Sequence, residues 1–180
     1  MARWNTDQTN SGQLCIGATM NAPQTVMAIR LLVNGVQVER EVEVRTLLST
    51  FLRDDLGLTG THVACEHGVC GSCTILVDSQ PVRSCLLLAV QADGTNVETV
   101  EGLGSVGSLS PLQNAMWREH GLQCGFCTPG ILMSIEGEAR SGASAEAICD
   151  EVLSGHLCRC TGYQNIRTAI HAYFATKDES

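Results

Sequence analysis

The stretch Cys65-Glu66-His67-Gly68-Val69-Cys70-Gly71-Ser72-Cys73 carries three cysteines and two glycines, and Cys85 follows after eleven intervening residues. The resulting spacing, C-x4-C-x2-C-x11-C, is the plant-type [2Fe–2S] pattern, in which one loop supplies three thiolates and the fourth comes from beyond a hairpin. Gly68 and Gly71 permit the positive φ angles that curl such a loop around a cluster. The spacing therefore predicts a [2Fe–2S] site whose ligands are these four cysteines: Cys65, Cys70, Cys73 and Cys85.

The overall composition fits a metal-binding protein of a reducing compartment. Ten of the 180 residues are cysteine. We find neither a signal peptide nor a run of about 18 apolar residues that could cross a membrane. A cytoplasmic protein is therefore expected, in which clustered thiols bind metal more often than they form disulfides. The net charge of −8 and the pI near 5.0 argue against nucleic acid as a partner.

The N-terminal residues 1–24 are polar and show no periodicity, which indicates a disordered tail. The alternative is an arm that folds onto a partner subunit, with Trp4 and Leu14 as anchors. Cys15 belongs to no spacing pattern and is expected to be a free thiol.

Residues 25–101 are predicted to form a small mixed sheet with one packed helix, a β-grasp-like unit. Two runs rich in β-forming residues flank Asn34-Gly35, which is a strong hairpin signal. Thr46 is predicted to cap a helix that closes at Gly57. Further strands are expected after the cysteine loop, at residues 73–77 and 97–100, with a turn at residues 78–81.

A linker at residues 102–109 is predicted to lead into a helical domain at residues 110–176. Its first helix opens with a capping box at Ser110-Pro111-Leu112-Gln113. Three more helices are predicted to begin near Thr128, Ser144 and Tyr163. Together they predict a small four-helix bundle, so the fold class of the whole chain is α+β.

The remaining patterned cysteines lie in two loops of this helical domain, as Cys124 and Cys127 and as Cys158 and Cys160. Each pair precedes a helix N-terminus, whose dipole would offset the negative charge of a thiolate-bound cluster. The spacing C-x2-C-x30-C-x1-C leaves zinc open beside a second iron–sulfur cluster, although C-x-C is an awkward zinc spacing. Cys149 lies among apolar positions and is predicted to be a buried structural thiol.

The two motifs together closely resemble the small iron–sulfur subunit of molybdenum hydroxylases, the family of xanthine dehydrogenase and aldehyde oxidoreductase. The resemblance rests on EHGVCGSCTI, CGFCTPG and LCRCTGY and covers about residues 26–175. The first motif also resembles the branch that hydroxylates N-heteroaromatic compounds such as quinoline or nicotine. The resemblance implies two [2Fe–2S] clusters, a large molybdopterin-binding subunit and a medium FAD-binding subunit, in a heterotrimer or a dimer of heterotrimers.

For mechanism, the resemblance implies that the clusters pass electrons singly from molybdenum to FAD, with no substrate site on this chain. Cys124, Cys127, Cys158 and Cys160 would hold the cluster nearest the pterin, and the first four cysteines the one nearer the flavin. Gln123 matches the glutamine that contacts the pterin, and the Cys160 side faces that cofactor. His156, where the family most often has Asn, is expected to be a loop hydrogen-bonder, and His67 to contact solvent or a partner.

Two other functions stay open from the residues alone. One is a free-standing ferredoxin-like electron carrier, against which the helical domain argues because a soluble shuttle needs only the first domain. The other is a zinc-stapled interaction module. We find no Gly-rich phosphate loop and no nucleophile motif, so no catalytic residue is predicted. The resemblance implies an N-heteroaromatic substrate in preference to an aldehyde or a purine.

Overall fold

The computed structural model describes residues 25–178. The predicted tail at residues 1–24, with Trp4, Leu14 and Cys15, lies outside the described residues. Within the described part, a mixed sheet precedes a set of helices, which confirms the α+β class. No helix in that part combines the length and the apolar character that a bilayer crossing requires.

Five strands of the described chain form one sheet. They are β1 Val26–Val33, β2 Val36–Glu43, β3 Thr74–Val77, β4 Gln80–Arg83 and β5 Asn96–Glu98. Their order is β2-β1-β5-β3-β4, and only the β1–β5 pair is parallel. Asn34 and Gly35 join β1 to β2 with φ angles of 50° and 78°. Two positive φ angles fit a tight two-residue turn and confirm the predicted hairpin.

The first helix begins later than predicted. It is α1, Leu48–Thr50, which continues as the π-helical turn Phe51–Asp55. The prediction that Thr46 caps it was wrong, because the N-cap is Leu47, which makes no side-chain cap bond. The Thr46 carbonyl instead accepts a hydrogen bond from the Ala89 amide at 2.8 Å. Pairing of this segment with the chain near Ala89 therefore fixes where the helix starts.

The turn predicted at residues 78–81 is shorter than expected. Only Asp78 and Ser79 form it, with φ angles of 48° and 67°. Pro81 lies in β4, which is an edge strand of the sheet. A proline is tolerated there because its missing N–H faces away from the ladder. β4 was therefore missed because its proline indicated a turn.

Four helical segments lie between residues 110 and 178 of the described chain. They are α2 Pro111–Arg118, α3 Thr128–Arg140, α4 Ala145–Ala147 and α5 Gln164–Asp178, and α4 continues through a π-helical turn, Ile148–Val152, and a 3-10 turn, Leu153–Gly155. The Ser110 hydroxyl accepts from the Gln113 amide at 3.2 Å, and the Gln113 side chain accepts from the Ser110 amide at 2.8 Å. These two bonds confirm the predicted capping box.

The sheet part (residues 25–101) and the helical part (residues 110–178) each have an apolar core. They meet along α3, which packs on β3 and β4. At Gly137 the approach is so close that a Cβ atom would lie 2.8 Å from the Leu76 side chain. Arg140 at the end of α3 forms an ion pair with Glu98 of β5, with 2.9 Å between Nη1 and Oε1. That contact raises the pKa of Arg140.

Replacing Arg140 with methionine is expected to lower the free energy of unfolding by about 0.5–1 kcal/mol, the usual contribution of a partly exposed ion pair. The apolar stem of the side chain is kept, so the change isolates the charge. Urea unfolding at low and at high salt measures the effect, which should shrink as salt screens the pair. Arg45→Met is the control, because Arg45 pairs at 3.4 Å with Glu43, close in sequence and exposed. An equal loss in both variants would contradict an Arg140 contact between the two parts.

Candidate iron–sulfur centres

The structure brings together the four cysteines predicted for the first site. The Cys70 amide donates to Cys65 Sγ at 3.4 Å, and the two thiols also interact directly. On the other side of the loop, the Cys85 thiol interacts with the Cys73 thiol. Cys70, Cys73 and Cys85 are buried and Cys65 is half-buried. The thiols therefore form two neighbouring pairs. One pair lies within the loop, and the other joins the loop to Cys85, which follows β4.

Two glycines give this loop its shape. Gly68 and Gly71 have φ angles of 82° and 80°. At Gly68 a Cβ atom would lie 2.5 Å from a methyl carbon of Leu86, and the Gly68 backbone hydrogen-bonds the Cys85 thiol. A side chain at this position would therefore push away the turn that carries Cys85. Both positive φ angles agree with the sequence-based expectation.

The pKa values within the first site differ between the two pairs. Hydrogen bonds from the backbone at Cys70 and His67 lower the pKa of Cys65 to about 6. Burial raises the pKa of Cys85 to about 11, with the Cys73 thiol adding to the effect. Amides directed at sulfur stabilise a thiolate, whereas an apolar setting opposes it. A bound cation would supply the charge that ionises the buried thiols.

The cysteines of the second site also lie in pairs, across the long sequence gap between them. The Cys127 thiol interacts with the Cys158 thiol, and the Cys124 thiol with the Cys160 thiol. Cys127 is buried at the N-cap of α3, whereas Cys124 and Cys160 are exposed. This set of thiols therefore has an inner pair, in which Cys127 is buried and Cys158 half-buried, and a pair at the protein surface.

Burial raises the pKa of Cys127 to about 12, with Cys158 adding to the effect. Burial also acts to raise the pKa of Cys158, but hydrogen bonds from Thr161 and the Cys160 backbone outweigh it and lower that pKa. The Thr161 hydroxyl lies 3.0 Å from Cys158 Sγ. The hydrogen bonds to Cys158 thus favour its thiolate form, whereas the burial of Cys127 opposes ionisation of that thiol.

Both sets fit a [2Fe–2S] cluster in donor chemistry and in arrangement. Such a cluster takes four thiolates, two on each of its irons, which matches two thiol pairs in each set. A structural zinc ion takes four ligands around one centre. The pairs therefore favour a two-iron cluster over zinc.

Three residues near the ligand loops were not singled out from the sequence. Tyr163 has a φ angle of 65°, and its hydroxyl donates to the His156 carbonyl at 2.9 Å and accepts from the Cys158 amide at 2.9 Å. His62 stacks on Phe126 with 4.9 Å between ring centroids. Tyr163 belongs to the quoted LCRCTGY motif, which was the available signal for it. Nothing local to His62 in the sequence indicated its distant partner.

The two histidines near the cysteine motifs have different environments. His156 is only 2% exposed, and its Nε2 lies 2.8 Å from Ser134 Oγ. Burial, with a contribution from Arg83, lowers the pKa of His156 to about 3. His67 is exposed, and its Nδ1 contacts the carbonyl of Cys65. His156 is thus a hydrogen-bonding residue of the protein interior, and its Ser134 partner is on α3.

Cys149 is buried, as predicted for a structural thiol. Its Sγ lies 3.9 Å from His171 Nε2, and burial raises its pKa. It lies in the π-helical turn after α4, in the same apolar core as Cys127, and belongs to neither set of four cysteines.

Three exposed apolar side chains, here called the apolar rim, lie next to the second set of cysteines in the sequence. Leu122, Phe126 and Leu157 are 39%, 44% and 59% exposed, and Gln123 among them is exposed as well. Exposed apolar groups that cluster beside a site are typical of surfaces that another protein covers. Gln123 and the surface thiols of Cys124 and Cys160 would then lie within that covered area.

Comparison with known proteins gives matches over both parts of the chain. Residues 31–100 match the 2Fe-2S iron-sulfur cluster binding domain, and residues 99–171 match the [2Fe-2S] binding domain. Caffeine dehydrogenase subunit gamma of Pseudomonas sp. (strain CBB1) is 54% identical over 154 residues, which are 83% of this chain and 92% of that protein. The nicotine 6-hydroxylase small subunit of Paenarthrobacter nicotinovorans is 51% identical, with 84% and 92% covered.

Among solved structures, quinoline 2-oxidoreductase from Pseudomonas putida 86 contains a chain that superposes with a TM-score of 0.79 and 46% identity. The match covers 86% of the chain described here and 98% of that chain. The residues matched by the two domain families include both sets of cysteines.

Proposed function

Because the chain belongs to the small [2Fe–2S] subunits of the molybdenum hydroxylases, we propose that it relays single electrons from a molybdopterin centre to FAD, both held by partner subunits. It is one subunit of an oxidoreductase, and its own residues bind no substrate. The observation that carries the proposal is the gathering of eight thiols into two sets of pairs, one in each part of the chain.

In this proposal each part of the chain would hold one cluster, and each thiol pair would bind one iron. The pairs are Cys65 with Cys70, Cys73 with Cys85, Cys124 with Cys160, and Cys127 with Cys158. When bound, such clusters would accept and release one electron at a time. The protein keeps most of the first set away from water and directs backbone amides and the Thr161 hydroxyl at sulfur atoms.

The surface pair orients the proposed assembly. Cys124 and Cys160 are exposed within the apolar rim, so this side of the chain is the one that would face the molybdopterin subunit. Gln123 is adjacent to Cys124 and would contact the pterin there. The first set of cysteines would lie nearer the FAD subunit. A heterotrimer, or a dimer of heterotrimers, in the cytoplasm is the proposed setting.

The fold assignment within this proposal is finer than the α+β class. Residues 25–101 would be a β-grasp domain of the plant-type ferredoxin kind, and residues 110–176 a four-helix bundle, joined by a linker at 102–109. The mixed five-stranded sheet and the four helical segments support this division. Val100 and Leu103 pack against the helical core, so the connection between the domains is itself in contact with the second one.

The proposed substrate of the assembled enzyme is an N-heteroaromatic compound. The support comes from relatives whose names refer to caffeine, nicotine and quinoline, all of which contain aromatic or fused rings with nitrogen. An aldehyde oxidoreductase subunit from Escherichia coli is less similar, at 39% identity. The substrate pocket would lie on the molybdopterin subunit.

Metal content tests the proposal. The full chain, expressed alone and reconstituted with iron and sulfide, is expected to bind about four irons and four sulfides, two of each per cluster. Metal analysis and visible absorption measure this. About two irons per chain, or stoichiometric zinc with no colour, would reject the two-cluster assignment.

Purification from the native source separates a permanent subunit from a free electron carrier. A permanent subunit is expected to co-purify with a large molybdenum-containing chain and a flavin-containing chain. A chain that loads both clusters but elutes alone would favour the free carrier.

A further inference from the structure

His156 lies where the two ligand loops meet. It is two residues before Cys158, and its buried ring covers Gly71, which lies between Cys70 and Cys73. A Cβ atom at Gly71 would collide with His156 Nδ1 and would lie 2.7 Å from the Gly155 carbonyl oxygen. His156 Nδ1 makes no hydrogen bond within residues 25–178. The His156 ring therefore contacts the first loop through van der Waals packing and not through a hydrogen bond. It occupies the space that a side chain at Gly71 would fill.

The opposite edge of the same ring is fixed to the helical part. His156 Nε2 and Ser134 Oγ are 2.8 Å apart, and both groups are buried. Ser134 belongs to α3, whose N-cap is Cys127. One side chain thus contacts the loop of the first thiol set and the helix that carries part of the second.

The backbone around His156 is held in the same way. The Leu157 amide donates to the Cys70 carbonyl at 3.0 Å, which joins the residue before Cys158 directly to a cysteine of the first set. Arg83 Nη2 donates to the Gly155 carbonyl at 2.8 Å from the end of β4. The segment from Gly155 to Cys158 is therefore attached to the sheet part on both sides of the His156 ring.

We propose that His156 is a positioning residue that fixes the distance and orientation between the two cluster sites. The inference rests on the proposed function, since it concerns two clusters on one chain. The Leu157–Cys70 hydrogen bond brings the loops together, and the His156 ring with its Ser134 partner prevents them from sliding or tilting. Loss of the ring would leave both ligand sets intact but allow a range of separations between them.

The test uses the full chain, reconstituted and fully reduced, so that each cluster carries an unpaired electron. Electron paramagnetic resonance then reports the magnetic coupling between the clusters, which depends on their separation and orientation. The parent protein and His171→Ala are expected to show one resolved splitting. His171 is an exposed histidine of the same part whose ring contacts Cys149 only through a 3.9 Å approach.

His156→Ala is expected to keep its iron but to lose the single splitting, which should broaden into a distribution. His156→Gln should restore the single splitting, because the glutamine amide can reach Ser134. Ser134→Ala should broaden the splitting although the His156 side chain is still present. These variants keep the test decisive if His156→Ala does not fold. A parent protein without two clusters would reject the proposed function instead. An unchanged splitting in iron-replete His156→Ala, or in Ser134→Ala if that variant alone folds, would overturn the positioning role.

Discussion

Replacing Cys158 with serine is expected to abolish electron flow from substrate to FAD in the assembled enzyme while the first cluster still assembles. Cys158 pairs with the buried Cys127 thiol and has the lowered pKa of that pair. A serine hydroxyl is a harder and far less acidic ligand than a thiol, so the second site loses one of its four soft donors. The first set of cysteines keeps all of its donors, because its thiol pairs form within the sheet part.

Two measurements define this result. Iron content is expected to fall from about four to about two per chain, as one [2Fe–2S] cluster is lost. Substrate-dependent reduction of FAD is expected to fall to background in the complex. Cys149→Ala is the matched control, because Cys149 is a buried thiol of the helical core that belongs to neither set, so its removal should retain iron and electron flow. Loss of both clusters in Cys158→Ser would show that the two sites do not assemble independently.

The positions of the thiols could be predicted from the sequence to the extent that they depend on local spacing. Cys65, Cys70 and Cys73 lie in one loop, so short-range geometry brings them together. Cys85 is brought back to this loop because β3 and β4 form a hairpin. The strand β4 itself was not predicted, since Pro81 indicated a turn. The helix starts at Ser110, Thr128 and Ser144 were also predictable, since a capping side chain or a proline marks each of them.

Features that depend on contacts between distant residues could not be predicted. The start of α1 is set by pairing with the segment near Ala89, so the cap signal at Thr46 was overridden. The burial of His156 results from the docking of the two parts, and its partners Gly71 and Ser134 are far away in the sequence. The stacking of His62 on Phe126 has the same origin. Tertiary contacts of this kind determine which of several locally acceptable conformations a segment adopts, and the local sequence pattern does not distinguish these conformations.

The close approach of the two parts at Gly130 leads to a second large effect. Gly130 lies in the first turn of α3, and a Cβ atom there would collide with the carbonyl oxygen of Gly71 and lie 2.9 Å from that of Ser72. Both oxygens belong to the backbone of the first cysteine loop, which cannot turn aside as a flexible side chain can. The N-terminal turn of α3 therefore packs directly against the backbone of the first cysteine loop, and this contact requires glycine at position 130.

Gly130→Ala is therefore expected to lower the free energy of unfolding by about 2 kcal/mol, within the usual cost of overpacking. The sign is informative, because alanine normally stabilises a helix relative to glycine by about 1 kcal/mol. Urea unfolding measures it, with Gly137→Ala as the control in the same helix. There the shortest contact of the new Cβ is 2.8 Å to the end of the flexible Leu76 side chain, which can shift, and the Pro81 ring lies farther away at 3.0 Å, so a smaller loss is expected. A Gly130→Ala variant more stable than the parent would contradict the packing of α3 against the first cysteine loop in solution. The contact that places the two sets of thiols side by side would then be contradicted as well.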